Sequence, residues 1–209
     1  EIGSGLVGSE MCIRDRSVII WYRSQGYSTS FISKSTYKRK KDDRMAHIKR
    51  IDLTRDVEAH ADAYREAIEK VCRETAFSGG KYADAFDKEF AAYVGSKYAS
   101  GVNNGTSALH LAMLALGVGP GDEVIVPANT YIATAWGVSY TGATPVFADC
   151  TPDTWEIDPS VLEAKITERT KGIIGVHLYG QPFDYAGVRE IADRHGLFVV
   201  EDCAQAHGA

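Results

Sequence analysis

The chain has 209 residues, of which 44% are hydrophobic and 24% charged, and its net charge is -5. This size and composition indicate one large globular domain or part of a larger one, and no run of about 18 apolar residues predicts a membrane-spanning helix. Residues 51–209 hold twelve Lys or Arg against twenty-three acids. We therefore expect no membrane and no nucleic acid as a partner.

Residues 1–44 show no sustained hydrophobic period and are rich in Ser, Gly, Lys and Arg. Residues 5–15 also resemble translated adapter sequence, which should be left out of fold reasoning. We predict that residues 1–44 are a disordered or non-native leader. Met45 is a candidate start, and residues 45–97 are predicted to form an N-terminal helical arm.

Two helices are predicted in this arm. Apolar side chains recur at helical spacing from Val57 to Val71, and the segment Phe77–Gly80 then breaks the pattern before a second helix over Tyr82–Tyr93. The helical arm precedes a different pattern, which begins near residue 98.

Strand-like and helical patterns alternate over residues 98–209. The predicted strands are Tyr98–Val102, Glu123–Val126, Thr144–Ala148, Gly172–His177 and Leu197–Val200. The predicted helices are Thr106–Leu116, Tyr131–Tyr140, Pro159–Glu168 and Asp184–His195. This alternation predicts the α/β class, with a mostly parallel sheet flanked by helices.

The four cysteines predict neither a zinc site nor a disulfide framework. They are far apart in sequence and include no Cys-x-x-Cys pair. We therefore expect reduced thiols, a cytoplasmic location and no metal site.

Polar residues follow three of the predicted strands, which points to a ligand site along one edge of the sheet. Asn104–Ser107 opens a helix after a strand, and the free N–H groups of such a helix start favour a phosphate. Thr106 is the predicted N-cap, and an ordinary Ser/Thr cap is the alternative explanation for this segment.

Tyr131 and Asp202 are the other candidates at strand exits. The Tyr131 ring could stack on a flat ligand, although core packing would also explain it. Asp202 ends a buried strand, where a carboxylate needs a cation, and a protonated ring nitrogen of a bound heterocycle would supply one. Gln205 lies one turn further and could reach a second polar atom of the same ring. His177 and His207 are interpreted as structural.

Two nucleotide-binding motifs are excluded by their context. Gly117–Gly121 lacks the full G-x-G-x-x-G pattern and precedes a strand instead of following one. No G-x-x-x-x-G-K-[ST] motif accompanies the acidic end of the last predicted strand. The sequence therefore favours neither NAD nor ATP.

From about Asp52 to Ala209 the chain resembles the DegT/DnrJ/EryC1/StrS sugar aminotransferases, pyridoxal-phosphate enzymes of fold type I. The segments that carry this resemblance are Phe77–Gly80, Asn104–Leu109, Gly119–Pro127, Thr130–Tyr131, Thr141–Phe147, His177–Gly180 and Glu201–Gly208. The resemblance implies that residues 98–209 form part of the large, pyridoxal 5'-phosphate-binding domain.

The same resemblance implies a role for each candidate residue. Thr106 and Ser107 would bind the cofactor phosphate, and Tyr131 would stack on the pyridine ring. Asp202 would pair with the protonated ring nitrogen as the catalytic residue of this segment, and Gln205 would contact the phenolic oxygen. The implied substrates are a nucleotide-linked keto sugar and an amino acid, with glutamate as the expected donor, and the implied assembly is a homodimer.

The sequence departs from the family at the catalytic lysine. In the family a Schiff-base lysine lies well beyond the acidic strand end, whereas here seven residues follow Asp202 and none is lysine. We expect an N-terminal fragment of the enzyme that is inactive by itself. A deoxysugar dehydratase of the same family and a non-catalytic binding or regulatory module both remain open.

Overall fold

A computed structural model describes residues 52–208. The described residues form two compact units, 52–86 and 87–208. The predicted leader over residues 1–44 and the candidate start at Met45 lie outside them. No helix in the described part of the chain is long and apolar enough to cross a membrane.

The helices and strands follow one another in chain order between residues 54 and 202. They are α1 (Thr54–Arg73), α2 (Lys81–Val94), α3 (Gly105–Ala115), β1 (Glu123–Pro127), α4 (Ala133–Ser139), β2 (Thr144–Ala148), β3 (Thr170–Val176), α5 (Tyr185–His195) and β4 (Phe198–Asp202). The two predicted arm helices correspond to α1 and α2, and the predicted break over Phe77–Gly80 separates them.

The four strands form one parallel sheet in the order β2-β1-β3-β4. This confirms the predicted α/β class with a parallel sheet flanked by helices. Because the strands are parallel, all four carboxyl ends lie along the same edge of the sheet. The loops that follow the strands therefore leave the sheet on one side.

Alternate residues of the central strands pack into two separate hydrophobic clusters. Val124 and Val126 of β1 pack with Leu109 and Met113 of α3, whereas Ile125, between them, packs with residues of α5 such as Val188. Successive side chains of a strand point to opposite faces. The sheet is therefore covered on both faces, which is why β1 is buried along its whole length.

Helices α3 and α4 approach closely at Gly137. A Cβ atom added to this glycine would lie 2.7 Å from the Cβ of Leu109. Gly137 therefore lets α4 pack directly against α3, which in turn lies over one face of the sheet.

The predicted strand Tyr98–Val102 is wrong, because this segment forms no strand in the structure. It pairs with none of the four strands of the sheet. An apolar run can be extended, but it becomes a strand only where a neighbouring strand accepts its hydrogen bonds.

The predicted helix Pro159–Glu168 is also wrong. Its start is correct, since the Asp158 side chain accepts a hydrogen bond from Ser160 N at 2.8 Å. The segment instead forms two 3-10 turns, Pro159–Val161 and Glu163–Lys165, and Ile166 is already extended at φ -76 and ψ 131. Leu162, between the two turns, is fully buried in the cluster on the α5 face, so tertiary packing overrides the helical pattern of this segment.

Candidate active site

Two neighbouring strand exits are joined by backbone hydrogen bonds. Val176 of β3 lies opposite Asp202 of β4 in the sheet register. One residue further, His177 N donates to the backbone oxygen of Asp202 at 3.1 Å. The pairing of β3 with β4 therefore continues into the loops at the carboxyl edge.

The turn after β3 also holds the side chain of Gln205. Tyr179 N donates to Gln205 Oε1 at 2.7 Å. Because this oxygen accepts a backbone N–H, the amide nitrogen of Gln205 remains as the donor that a ligand can use. An N–H donor at this position matches a phenolic oxygen of a bound cofactor.

Asp202 is a partly buried carboxyl group at the last position of β4. Its Oδ1 accepts a hydrogen bond from Ala204 N at 3.0 Å. Burial raises the pKa of Asp202, and the opposing effects of the Ala204 N–H and of His177 and His207 are smaller. A protonated nitrogen placed against this carboxylate would offset the cost of burial, so the site chemistry fits the pyridine nitrogen of pyridoxal phosphate.

The predicted N-cap of α3 is wrong, since Asn104 caps this helix and Thr106 does not. The Asn104 side chain accepts from Ser107 N at 2.8 Å, and the helix begins at Gly105. Asparagine is among the best N-caps because its short side chain reaches the third N–H of the helix. Thr106 and Ser107 therefore lie in the first turn of α3, where the N–H groups of Gly105 and Thr106 have no acceptor within the helix.

Tyr131 lies in the loop between β1 and α4, because α4 begins at Ala133 and not at the predicted Tyr131. Its side chain is 68% exposed. Core packing, the alternative explanation for this ring, is therefore excluded in the structure. The ring is available for stacking at the carboxyl edge of the sheet.

His177 has a structural environment, in agreement with its interpretation from the sequence. Its ring stacks on Phe183 with centroids 4.5 Å apart, and its Nδ1 accepts from Phe183 N at 3.3 Å. The Nε2 atom lies 3.0 Å from Glu201 Oε2. Both ring nitrogens therefore have protein partners, and the ring is buried.

The structure brings some of the candidates together and leaves others apart. Asp202 and Gln205 are bonded to the same turn after β3. Within residues 52–208, no hydrogen bond joins this pair to Thr106, Ser107 or Tyr131. Thr106 and Ser107 lie on α3, and Tyr131 lies at the exit of β1. A ligand that contacted all five residues would have to reach from the turn after β3 to α3 and the β1 exit.

Sequence reasoning missed two features of this edge. One is Asn104 as the cap, which the polar residue directly before Gly105 could have indicated. The other is Glu156, a buried acid in the loop after β2. No local pattern marks it, since it lies in a polar, turn-rich segment.

A parallel sheet covered on both faces, with a partly buried acid at the end of β4, is the arrangement of the large domain of a fold-type I pyridoxal-phosphate enzyme. The model of the DegT/DnrJ/EryC1/StrS aminotransferase family matches residues 59–209. The chain therefore belongs to this family.

Individual relatives agree with this assignment. The GDP-perosamine synthase of Caulobacter vibrioides is 54% identical over 140 residues, which are 66% of this chain and 38% of that protein. The crystal structure of DesV from S. venezuelae, in complex with a ketimine intermediate, is 48% identical and has a TM-score of 0.70. The matched region is 75% of this chain and 42% of the DesV chain.

A second solved structure is similar over most of the described fold. NtdA from Bacillus subtilis, with bound cofactor PMP, is 32% identical and has a TM-score of 0.71. The matched region is 93% of this chain and 45% of the NtdA chain. The chain thus spans about two fifths of the length of the relatives it matches.

Proposed function

We propose that this chain supplies the cofactor-binding part of a pyridoxal-phosphate-dependent aminotransferase that acts on a nucleotide-linked keto sugar. Glutamate is the proposed amino donor, and the complete enzyme is proposed to act as a homodimer in the cytoplasm. The observation that carries the proposal is the partly buried Asp202 carboxyl at the end of β4, held beside Gln205 in a chain of this family.

Each residue of the site has a proposed task. Thr106 and Ser107, with the N–H groups of the first turn of α3, hold the phosphate of the cofactor. Tyr131 covers one face of the ring. Asp202 keeps the ring nitrogen protonated, and the free amide nitrogen of Gln205 donates to the phenolic oxygen.

The proton on the ring nitrogen is the main contribution of this chain to the reaction. Bound pyridoxal phosphate supplies an electron sink for the carbanion that forms when the amino acid loses its α-proton. Asp202 preserves that sink, because a carboxylate beside the nitrogen favours its charged form. No lysine follows Asp202 in this chain, and we propose that the 209 residues alone are inactive.

The test compares this chain with the full-length product of its gene. Both are titrated with pyridoxal phosphate by absorbance and then assayed with nucleotide-linked keto sugars and glutamate. We expect steady formation of the amino sugar and 2-oxoglutarate by the full-length protein only. Dehydration of the sugar without amino transfer would show that the full-length protein is a deoxysugar dehydratase. A full-length protein that binds no cofactor would favour a non-catalytic binding or regulatory module.

A further inference from the structure

His177 and Glu201 form a side-chain pair that the proposed function does not use. His177 directly follows β3 and Glu201 lies on β4, and their Nε2 and Oε2 atoms are 3.0 Å apart. His177 is only 8% exposed. The pair therefore joins the two strand exits through side chains, in addition to the backbone hydrogen bond from His177 N to Asp202 O.

The hydrogen bonds of the His177 ring fix the position of its proton. Phe183 N donates to Nδ1 at 3.3 Å, so this nitrogen carries no hydrogen. In the neutral imidazole the hydrogen then lies on Nε2, which donates to the Glu201 carboxylate. A hydrogen bond to a charged acceptor is stronger than one between neutral groups. One orientation and one tautomer of the ring therefore satisfy both partners.

The loop after β3 folds back and packs against this ring. The Phe183 ring stacks on His177 with centroids 4.5 Å apart. It also lies against Gly175, where an added Cβ atom would be 2.2 Å from an atom of the Phe183 ring. Gly175 is the residue of β3 that pairs with Glu201 in the sheet register. Glycine at this position therefore leaves the room in which Phe183 and His177 stack.

The pair lies on the opposite face of the sheet from the Asp202 side chain. Val199 packs in the hydrophobic cluster on the α5 face, whereas Val200 packs in the cluster on the α3 face. Because successive side chains of a strand point to opposite faces, Glu201 shares the α5 face and Asp202 shares the α3 face. The α3 face also carries the helix whose first turn is proposed to hold the cofactor phosphate.

We propose that His177 and Glu201 are positioning residues, which hold the end of β4 from the α5 face so that the Asp202 carboxyl stays directed at the cofactor ring on the α3 face. An anchored Glu201 restricts rotation of the strand end, and the direction of the next side chain depends on that rotation. The inference rests on the proposed function. The pair touches neither substrate nor cofactor and acts only through the position of Asp202.

The test uses the full-length protein with two variants of Glu201. Glu201→Met removes the acceptor for Nε2 of His177, whereas Glu201→Gln keeps an oxygen acceptor without the charge. Glu163→Met is the matched control, because Glu163 also accepts from a histidine, with its Oε2 atom 2.7 Å from Nε2 of His195. The two glutamate side chains are equally accessible, at 47% exposed for Glu163 and 44% for Glu201.

A third variant breaks the same contact from the histidine. In His177→Asn the shorter side chain can still offer an oxygen to Phe183 N but does not reach Glu201. Combining it with Glu201→Met completes a double-mutant cycle. Hydrogen exchange of a peptide covering residues 199–205 is measured without cofactor. The kcat, the KM for the amino donor and the absorbance spectrum of bound cofactor are measured on the loaded enzyme.

In Glu201→Met we expect faster exchange over residues 199–205, kcat lowered about tenfold, as the loss of one hydrogen bond would cause, and a shifted cofactor spectrum. The KM for the amino donor should stay within about twofold, because the pair does not bind this substrate. Glu201→Gln should stay within about twofold of wild type in every readout, in line with its retained acceptor. Glu163→Met should leave all readouts unchanged.

His177→Asn should match Glu201→Met, and the double variant should lose no more than either single variant. Additive losses would overturn the inference, because the two side chains would then act independently. Equal losses in Glu201→Gln and Glu201→Met would also overturn it, since the retained hydrogen bond would then have no effect. If His177→Asn does not fold, the two variants of the half-exposed Glu201 still decide.

A lower melting temperature of Glu201→Met with unchanged exchange, kcat and spectrum would likewise overturn the inference, because the pair would then be only structural. A full-length wild-type protein without cofactor binding would refute the proposed function, and with it the role of the pair toward the cofactor. The exchange measurement separates the two failures, since it reports on the end of β4 without any cofactor.

Discussion

On the β4 side of the candidate site, residues from two strand exits bond to one another, whereas on the α3 side the fixed contact lies within one helical turn. His177 N and Tyr179 N reach Asp202 and Gln205 on another element. The side chain of Asn104 reaches Ser107, three residues along the chain. The geometry of the β4 side therefore depends on the sheet being assembled, and the geometry of the α3 side depends on local capping.

The largest effect is expected from Asp202→Asn in the full-length protein. Asparagine can still accept from Ala204 N but carries no charge to hold the ring nitrogen protonated. We expect kcat to fall by about 100-fold or more, which is the size of effect caused by removing one preorganised electrostatic contact from an enzyme site. The cofactor should stay bound through its phosphate. Asp149→Asn, at the exit of β2, is the control, and near-wild-type turnover by the Asp202 variant would remove this residue from its proposed role.

The next effect concerns the packing of α3 against α4, which supports the side proposed to bind the phosphate. Alanine usually stabilises a helix by about 0.5–1 kcal/mol relative to glycine. At Gly137 the added Cβ would collide with Leu109, so Gly137→Ala should instead lower the free energy of unfolding by about 1–3 kcal/mol.

Urea denaturation of the 209-residue chain measures this change. Gly119→Ala is the control, since a Cβ there would meet no atom within 4 Å and its φ is not positive. Equal stability of Gly137→Ala and the wild type would show that the two helices can move apart at little cost.

A smaller effect separates capping from phosphate binding at Asn104. Asn104→Ala should lose about 0.5–2 kcal/mol of stability together with the cap. Asn104→Asp keeps the acceptor for Ser107 N and suits a helix N-terminus, so its stability should be retained. Its negative charge would repel a bound phosphate, and we expect weaker cofactor binding in the full-length protein.

Calorimetry and cofactor titration together check this pair of variants. Unchanged cofactor affinity in Asn104→Asp would indicate that the phosphate does not bind at this end of α3.

The smallest effect is a pH dependence on the β4 side. Burial raises the pKa of Asp202 above its ordinary 3.8. In the pH window just above 3.8, the folded chain therefore keeps a proton that the unfolded chain has released. The contribution of Asp202 to the free energy of unfolding falls as pH rises through that window.

Asp202→Asn removes this pH dependence of the free energy of unfolding, because asparagine does not titrate. Without cofactor, the stability of Asp202→Asn relative to wild type should increase between about pH 4 and about pH 7. Urea unfolding of the 209-residue chain at several pH values measures it. A relative stability that falls with pH would mean that the carboxylate is stabilised in the folded state, against the effect of burial.

Much of this site was predictable because its signals are local. The end of β4 at Asp202 follows from an apolar run that stops at two acids. The sequence placed Tyr131 near the exit of β1 but began the following helix two residues too early. Its exposure was not predictable, because a tyrosine pattern is the same for a core ring and an exposed one.

The sequence by itself determined the family and the parallel α/β class, because the spacing of apolar residues and the residues at strand exits are written along the chain. Tertiary structure alone decided that Tyr98–Val102 forms no strand, that residues 159–165 are short turns, and that the Glu156 side chain is buried. Each of these depends on a partner distant in sequence. A strand needs a neighbouring strand, and the burial of Leu162 and Glu156 needs parts of the chain distant in sequence to cover them.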